Sequence, residues 1–329
     1  MDHYNIIYNS SHQVALTDID VQPGPYCMSF GFDHDQLTRS IKRVGLINCP
    51  LIIRNSHKKF DIVTGYRRIH ALKSLGWKTI PCRILSEFEM PPLKCLLLNL
   101  HDNLASRKFN EVEKAMVLSR LSSWVQRAEI LKDYMPFLGL PSHGPTLDFY
   151  LRLNQELDEK IRESITKGHL SLHAVKLLLE MDNAAKMGIF QLILKLMFNV
   201  NQQKQLIDYL IDISTTAKIK IADILEERTL KDICCDTRLN NPQKVSSVLR
   251  TLRSRIFPRL IDAEETFKRM ASGLDLPEGV RISYPPFFES PNYRMEVLFK
   301  NGEELEQKIV HLGRIKSFSR LHDPWEKDE

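Results

Sequence analysis

The hydrophobic periodicity of the chain changes near residue 94, and this change constrains the fold more than any other feature of the sequence. Before that point, short apolar runs alternate with segments of helical spacing, as in a unit that mixes strands and helices. After it, apolar residues recur with the period of an amphipathic helix. The sequence therefore predicts an α+β fold: a small α/β domain at the N-terminus, followed by a mainly helical region.

Glycines separate the elements of the predicted α/β domain. The predicted strands are residues 50–54, 60–64 and 80–85, and the predicted helices are residues 35–44 and 66–75. Gly45 and Gly76 follow the two helices as stop signals. Gly65 interrupts the apolar run at the turn from the second strand into the second helix.

The helical region begins with the strongest helix pattern of the chain, at residues 111–129. Asn110 is the expected N-cap and Glu113 lies at the third helical position, as in a capping box. Further helices are expected at residues 130–138, 146–153, 155–166, 171–181, 184–198, 201–213 and 217–233, then a basic helix at 244–260, strands at 280–284 and 294–299, and a helix at 303–312. The predicted domains are residues 1–100, 101–183, 184–275 and 276–329, and the last is a small β-hairpin/helix unit.

The composition, 43% hydrophobic and 26% charged, excludes a wholly disordered or collagen-like chain. The formal net charge of +5 permits an anionic partner without requiring one. The six cysteines form no CxxC pair, so free thiols in a reducing compartment are expected. The first residues have no signal-peptide pattern, and the longest apolar stretch, residues 189–200, is interrupted by Gln191 and Lys195. We therefore expect a cytoplasmic protein without a membrane partner.

Residues 61–71, DIVTGYRRIHA, place a glycine and two arginines where a strand turns into a helix. The first turn of a helix carries unpaired backbone N–H groups, a glycine lets a phosphate approach closely, and arginines add charge-assisted hydrogen bonds. The segment is therefore a candidate for binding an anion. A tight turn with solvated arginines is the alternative that the same pattern permits.

The same segment resembles the GERR-x-RA box of the ParB/Noc chromosome-partition family, and its neighbours resemble further family motifs in the same order. The matching segments are residues 45–54 (GLINCPLIIR, against GLIQPLVVR), 77–83 (WKTIPCR), 101–115 (against ENxQRxxLNPxEEA), 138–153 (the helix-turn-helix) and 168–174 (GHLSLHA, against GxLSxGHA). Residues 293–312 resemble the C-terminal dimerisation unit of the family.

The resemblance implies a ParB/sulfiredoxin-like N-terminal domain that binds CTP with Mg²⁺ and closes into a clamp on DNA, with ATP as an alternative nucleotide. The implied nucleotide-binding residues are Arg54, Gly65, Tyr66, Arg67, Arg68, Asp102 and Asn103. Asp102 and Asn103 are also the implied Mg²⁺ ligands. The implied partners are DNA, a second copy of the chain and a partition ATPase. The implied role is chromosome or plasmid partition, or related transcription control, at the nucleoid.

Departures from the family motifs bear on catalysis. Tyr66 replaces the glutamate of GERR that is tied to hydrolysis, so at most weak CTPase activity is expected. Asp102 replaces a longer glutamate, and the arginine of ENxQR aligns with Ser106, one place before Arg107. Two alternative functions stay open: a nucleotide-dependent kinase or hydrolase that uses the same pocket, and a non-catalytic adaptor that has lost nucleotide binding.

Two segments are candidates for DNA binding. The candidate residues are Thr146, Asp148 and Arg152 on the second helix of the helix-turn-helix, and Lys244, Arg250 and Arg253 in the basic helix. The first group would face base edges in the major groove, and the second lies in a stretch of cations without an acid. The alternatives are a helical pair that only packs, and a basic face that contacts acidic helices nearby.

Overall fold

The computed structural model describes residues 10–86, 90–290, 292–322 and 324–325. The chain folds as two compact units, one that extends to Lys204 and one that begins at Gln205. The expectation that the chain start is no signal peptide concerns residues that lie largely outside the described ranges. The finer division into four domains stays a prediction.

A four-stranded mixed sheet forms the centre of the N-terminal part of the first unit. Its strands are β1 (His12–Ala15), β2 (Leu51–Arg54), β3 (Phe60–Thr64) and β4 (Thr79–Leu85), in the order β1-β4-β2-β3. β2 pairs in parallel with β4, whereas β1–β4 and β2–β3 are antiparallel. The three predicted strands are confirmed. The sequence analysis missed β1, which is short and has Val14 as its one buried residue among those described.

Two helices pack against this sheet, α1 (Asp35–Val44) and α2 (Tyr66–Ser74). Ile41 of α1 and Ile69 of α2 are buried in the same apolar core as the strands. Both helices were predicted, because each is followed by a glycine and shows apolar residues at helical spacing. The observed mixture of a small sheet with many helices confirms the predicted α+β class.

The rest of the first unit is helical. Its helices are α3 (Pro92–Ser106), α4 (Glu111–Leu121), α5 (Arg127–Glu129), a π-helical turn (Ile130–Tyr134), α6 (Met135–Phe137), α7 (Gly144–Glu156), α8 (Glu159–Thr166), α9 (Leu172–Leu178), α10 (Asn183–Leu196) and α11 (Val200–Ala217), which continues past Lys204. The capping box of α4 is confirmed. However, α4 ends at Leu121 rather than at residue 129. Ser122 donates its hydroxyl to the Leu118 carbonyl, a bond that bends helices, and the chain turns there.

Among its described residues, the second unit contains five further α-helices and a hairpin. They are α12 (Ile221–Glu226), α13 (Arg228–Cys235), α14 (Asn241–Ile256), α15 (Pro258–Ser272), β5 (Val280–Ser283), β6 (Arg294–Val297) and α16 (Gly302–Arg314). The predicted basic helix at residues 244–260 is wrong at its end, because Pro258 lacks the N–H that would continue α14 and instead begins α15. In the described part of the chain, no helix is both long and apolar enough to cross a bilayer.

Candidate functional site

A cavity of about 330 Å³ lies where the end of α1, the start of α2 and the second half of α3 come together. Its lining residues come from four segments and include Ser29, Leu37, Ser40, Ile41, Gly45, Leu46, Ile47, Asn48, Gly65, Tyr66, Arg67, Arg68, Asn99, Asp102, Asn103, Ser106 and Arg107. Six of the seven residues predicted to bind a nucleotide are therefore brought to one place. The volume is in the range of small-molecule sites.

The turn into α2 forms one wall of the cavity. Gly65 has φ +89°, a left-handed conformation that side chains disfavour, and a Cβ there would lie 3.0 Å from the Pro50 Cβ. This glycine therefore serves both the backbone conformation and the close approach of Pro50. It places the unpaired N–H groups of the first turn of α2 at the cavity wall.

Arg68 and Asp102 form an ion pair across the mouth of the cavity. Arg68 Nη2 donates to Asp102 Oδ2 at 3.1 Å, and Arg68 Nη1 donates to the Asn48 carbonyl at 2.9 Å. The Asp102 side chain is 49% exposed. An ion pair whose carboxylate is half exposed to water contributes little to stability, so Asp102 can be displaced from Arg68 when a ligand enters.

Arg67 and Arg107 form a second, deeper arrangement around Glu113. Arg67 Nη2 donates to Glu113 Oε1 at 2.7 Å, and Arg107 Nη1 donates to Oε2 at 2.6 Å. The Glu113 carboxylate also accepts the backbone N–H groups of Phe30 and Asn110. With four donors and only 1% exposure, Glu113 fixes the two guanidinium groups beside each other.

The sequence analysis missed the roles of Arg107 and Glu113 in this site. Burial lowers the pKa of Arg107, although its contacts with Glu113 oppose that effect. Arg107 Nε also donates to Asn103 Oδ1 at 2.7 Å. Two signals for these residues were present in the sequence. Arg107 lies one residue after the arginine position of the family motif, and Glu113 has the position of the glutamate in a capping box. Neither signal indicates that the two side chains meet.

Tyr66 lies at the edge of the cavity in an aromatic cluster. Its ring centroid is 4.5 Å from that of His70 and 6.0 Å from that of Phe32. Burial raises the pKa of the Tyr66 phenol to about 12 and lowers the pKa of His70. Tyr66 is therefore protonated at neutral pH and cannot act there as a base.

Arg54 is not among the residues that line the cavity, and its role in nucleotide binding stays a prediction. It is the last residue of β2, opposite Phe60, and its guanidinium carbon lies 4.9 Å from the Phe60 ring centroid. Pro50, four residues earlier, is the residue that contacts Gly65. Since a strand rises about 3.3 Å per residue, Arg54 lies about 13 Å further along.

The oxygen atoms near the cavity fit a Mg²⁺ ion that also binds phosphate. In the described residues, no group of three His, Cys, Asp or Glu side chains could hold a metal alone. Mg²⁺ commonly uses one or two protein carboxylates together with substrate phosphates, and Asp102 supplies such a carboxylate at the mouth. Asn103 Oδ1 already accepts from Arg107, so Asn103 positions that arginine as well as offering an oxygen.

The segment predicted as a helix-turn-helix, residues 138–153, contains a turn and most of α7, and short helical segments at residues 127–137 precede it. Asp148 lies on the exposed side of α7 but makes two hydrogen bonds with Arg127, at 2.6 and 2.9 Å. This contact holds the pKa of Asp148 below its usual value. Arg152 is bound to Glu156 and Glu180. These side chains therefore tie α7 to its neighbours.

Thr146, the third candidate on α7, lies in its first turn. Its hydroxyl is 3.3 Å from His143 Nδ1, and its residue is half-buried. Of the three DNA-binding candidates on α7, Thr146 is the one that contacts no charged side chain among the described residues.

The basic candidates of α14 also have partners within the second unit. Arg250 pairs with Glu265 and Arg253 pairs with Glu264, at 2.7 and 2.8 Å. Lys244 Nζ donates to the Cys234 carbonyl. The acids lie on α15, which the sequence did not predict. Arg250 and Arg253 therefore contact nearby acidic residues, and DNA binding by this helix stays a prediction.

Comparisons with known proteins identify the family. Residues 6–93 match the ParB N-terminal domain family. Stage 0 sporulation protein J of Bacillus subtilis (strain 168) is 31% identical over 219 residues, which cover 64% of this chain and 74% of that protein. The chain belongs to the ParB family. The nucleoid occlusion protein of Halalkalibacterium halodurans is 27% identical over 64% of this chain and 71% of its own.

Two solved structures of Caulobacter crescentus ParB, both C-terminally truncated, are also similar. The one complexed with CTP-gamma-S is 18% identical and covers 53% of this chain and 94% of its own, with a TM-score of 0.27. The one complexed to the centromeric parS site is 14% identical and covers 66% of this chain and 97% of its own, with a TM-score of 0.32.

Proposed function

We propose that this ParB family member binds CTP with Mg²⁺ in the cavity beside Gly65 and that the bound nucleotide gates its binding to DNA. The observation that carries the proposal is the convergence of Arg67, Arg68 and Arg107 with the Gly65 turn on one cavity. Guanidinium groups and free backbone N–H groups at a helix start are the donors that phosphates require. The family resemblance supplies the identity of the nucleotide.

The ion pair between Arg68 and Asp102 supports a specific order in which these two side chains change partners when a nucleotide binds. Entering phosphate oxygens would accept from Arg68 in place of Asp102, since charge-assisted bonds to phosphate can be bidentate. Asp102 would then be free to hold Mg²⁺ with Asn103 and the phosphates. The ion supplies charge neutralisation for the phosphate groups. Glu113, buried with four donors, would keep Arg67 and Arg107 in place throughout.

A thermal-shift screen with CTP, ATP, GTP and UTP, each with Mg²⁺, tests the proposal. We expect CTP at about 100 times its Kd to stabilise the protein by about 2.7 kcal/mol. Arg68→Ala should abolish the shift. Arg54→Ala is the matched control, because it removes an arginine of the same domain that lies outside the cavity, and it should keep the shift.

The outcomes separate the possibilities. A thermal shift with ATP alone would mean that the cavity binds ATP rather than CTP. The absence of a shift with every nucleotide would overturn nucleotide binding and favour the non-catalytic adaptor. An equal loss of the shift in Arg54→Ala and Arg68→Ala would show that the cavity is not the site.

We propose DNA binding through the helix-turn-helix and a role in chromosome or plasmid partition, or in related transcription control. Relatives named chromosome-partitioning protein ParB and nucleoid occlusion protein support this role. A partition ATPase is the partner expected from the family, and the nucleoid is the expected location. The first turn of α7, where Thr146 lies, is the part of that helix that enters the major groove in such motifs.

A homodimer formed by the C-terminal residues is also proposed. β5 and β6 form a two-stranded sheet, which no third described strand extends, and no residue of α16 is buried. The exposed apolar residues of this region include Met295, Leu298, Phe299, Ile309 and Val310. A two-stranded sheet is marginal alone and leaves unpaired edges, so pairing with a second copy would complete it.

A nucleotide-dependent kinase or hydrolase receives less support. Among the described residues that line the cavity, Asp102 is the only carboxylate, and in the proposed complex it would hold Mg²⁺. A base for proton abstraction must be free to accept a proton. The proposed function is therefore binding of the nucleotide rather than its chemical transformation.

A further inference from the structure

Residues 29–32, here called the coupling segment, contact the cavity arginines on one side. Ser29 Oγ accepts from Arg67 Nε and from Arg107 Nη2, both at 3.3 Å. The guanidinium carbon of Arg67 lies 4.9 Å from the ring centroid of Phe32. Two of the three arginines proposed to bind phosphate, Arg67 and Arg107, are therefore also bound to this segment.

The other side of the coupling segment packs against α8. Gly31 has φ +60°, and a Cβ there would lie 2.6 Å from Thr166 Oγ1, so the Gly31 backbone packs closely against the Thr166 side chain. The guanidinium carbon of Arg162 lies 5.3 Å from the Phe30 ring centroid. Arg162 Nε is buried and has no hydrogen-bond partner among the described residues. The segment packs tightly against α8 on this face, so a movement of the segment would displace α8 as well.

Glu113 and Asn110 hold the middle of the segment at the start of α4. The Phe30 N–H donates to Glu113 Oε1 at 3.1 Å, and Asn110 Nδ2 donates to the Phe30 carbonyl at 3.0 Å. These bonds fix the backbone at one residue only.

A phosphate in the cavity would compete with the weakest of these contacts. The Ser29 hydroxyl is neutral and its two bonds are long, whereas bonds from arginine to phosphate are charge-assisted and shorter. We propose that the coupling segment carries the occupancy of the cavity to α8, so that nucleotide binding and the arrangement of the DNA-binding helices are linked. The proposal rests on the proposed nucleotide binding and names the residues that transmit it.

Hydrogen–deuterium exchange of the full chain, with and without CTP and Mg²⁺, tests this link. We expect CTP to change the exchange rate of amides in residues 159–171 by about fivefold or more in the wild type, as for a coupling free energy of ordinary size. Arg162→Met removes the guanidinium from Phe30 without touching the cavity. It should still bind CTP but lose the change in residues 159–171.

Lys160→Met is the matched control, because Lys160 is a cation of the same helix that is exposed to solvent. It should behave as the wild type does. Phe30→Leu is a second variant that removes the same contact from the other side and keeps the backbone bond to Glu113. It should reproduce the effect of Arg162→Met.

Two failures are distinguishable. If the wild type does not bind CTP, the proposed function fails and the coupling fails with it. If CTP binds but exchange in residues 159–171 does not change, or if Arg162→Met and Phe30→Leu respond as the wild type does, only the coupling is overturned.

Discussion

At Gly65 two constraints can be separated by comparison with another glycine of the same domain. Gly65 and Gly76 both have left-handed φ values, +89° and +78°. A Cβ at Gly65 would lie 3.0 Å from the Pro50 Cβ, whereas at Gly76 it would meet nothing within 4 Å. Backbone strain is therefore common to both positions, and steric contact is present at only one.

We expect Gly76→Ala to lower the free energy of unfolding by about 1 kcal/mol, the cost of the left-handed conformation. Gly65→Ala should lower it by about 2 to 3 kcal/mol, because Pro50 must also move. It should weaken CTP binding too, since the turn forms the cavity wall. Urea denaturation and CTP titration measure both effects. Equal losses of stability in the two variants would contradict the steric account.

The cavity residues also predict that CTP is bound without turnover. In the proposed complex Asp102 would hold Mg²⁺, and the Tyr66 phenol, whose pKa is raised to about 12 by burial, stays protonated at neutral pH. We expect no phosphate release above the rate in buffer when the protein is incubated with saturating CTP and Mg²⁺. Phosphate release that disappears in Asp102→Asn would refute this expectation.

At the scale of helices and strands, predictions succeeded where the sequence itself ends an element. The bounds of α1 and β3 agree with the structure, because Gly45 and Gly65 follow them directly. The end of α4 was not predicted, because the helical spacing of apolar residues does not stop at Leu121. The predicted helix at residues 244–260 ran across Pro258, although proline is a known helix start.

The candidate site was predictable only in part, for a geometric reason. Gly65, Arg67 and Arg68 are adjacent in sequence, so one motif gives all three. Arg107 follows the end of α3 in an extended conformation, with φ −160° and ψ 169°, so helical spacing does not tell where its side chain lies. Its partner Glu113 belongs to another helix, and their contact depends on how α3 and α4 pack.

The two kinds of ion pair in the first unit should respond differently to neutralisation. Glu113 is buried with two arginines, whereas the Asp148 and Arg127 side chains are about half exposed. We expect Glu113→Gln to lower the free energy of unfolding by about 3 kcal/mol, since it leaves buried charge unpaired. Asp148→Asn should cost less than about 1 kcal/mol. Urea denaturation of both variants measures the difference, and similar losses would contradict the assigned burial.

At the scale of the whole molecule, the C-terminal residues determine the expected assembly. We expect the wild type to sediment as a dimer and Ile309→Glu, which places a charge on the exposed apolar part of α16, to sediment as a monomer at micromolar concentration. Glu306→Gln is the control, because it changes an exposed polar residue of the same helix. Analytical ultracentrifugation distinguishes the two. A dimer that persists in Ile309→Glu would place the interface elsewhere.

The internal ion pairs of α7 have a consequence for how the protein searches the chromosome. Because Asp148 and Arg152 are neutralised by their own chain, few counterions would be released when this helix meets a duplex. We expect the logarithm of the affinity for random-sequence duplex to fall with the logarithm of the salt concentration with a slope shallower than about −4, measured by fluorescence anisotropy. A much steeper slope would show extensive phosphate contact. A slope this shallow would mean that the protein leaves arbitrary DNA quickly, so that contacts with base edges rather than charge would set its residence time on a specific site.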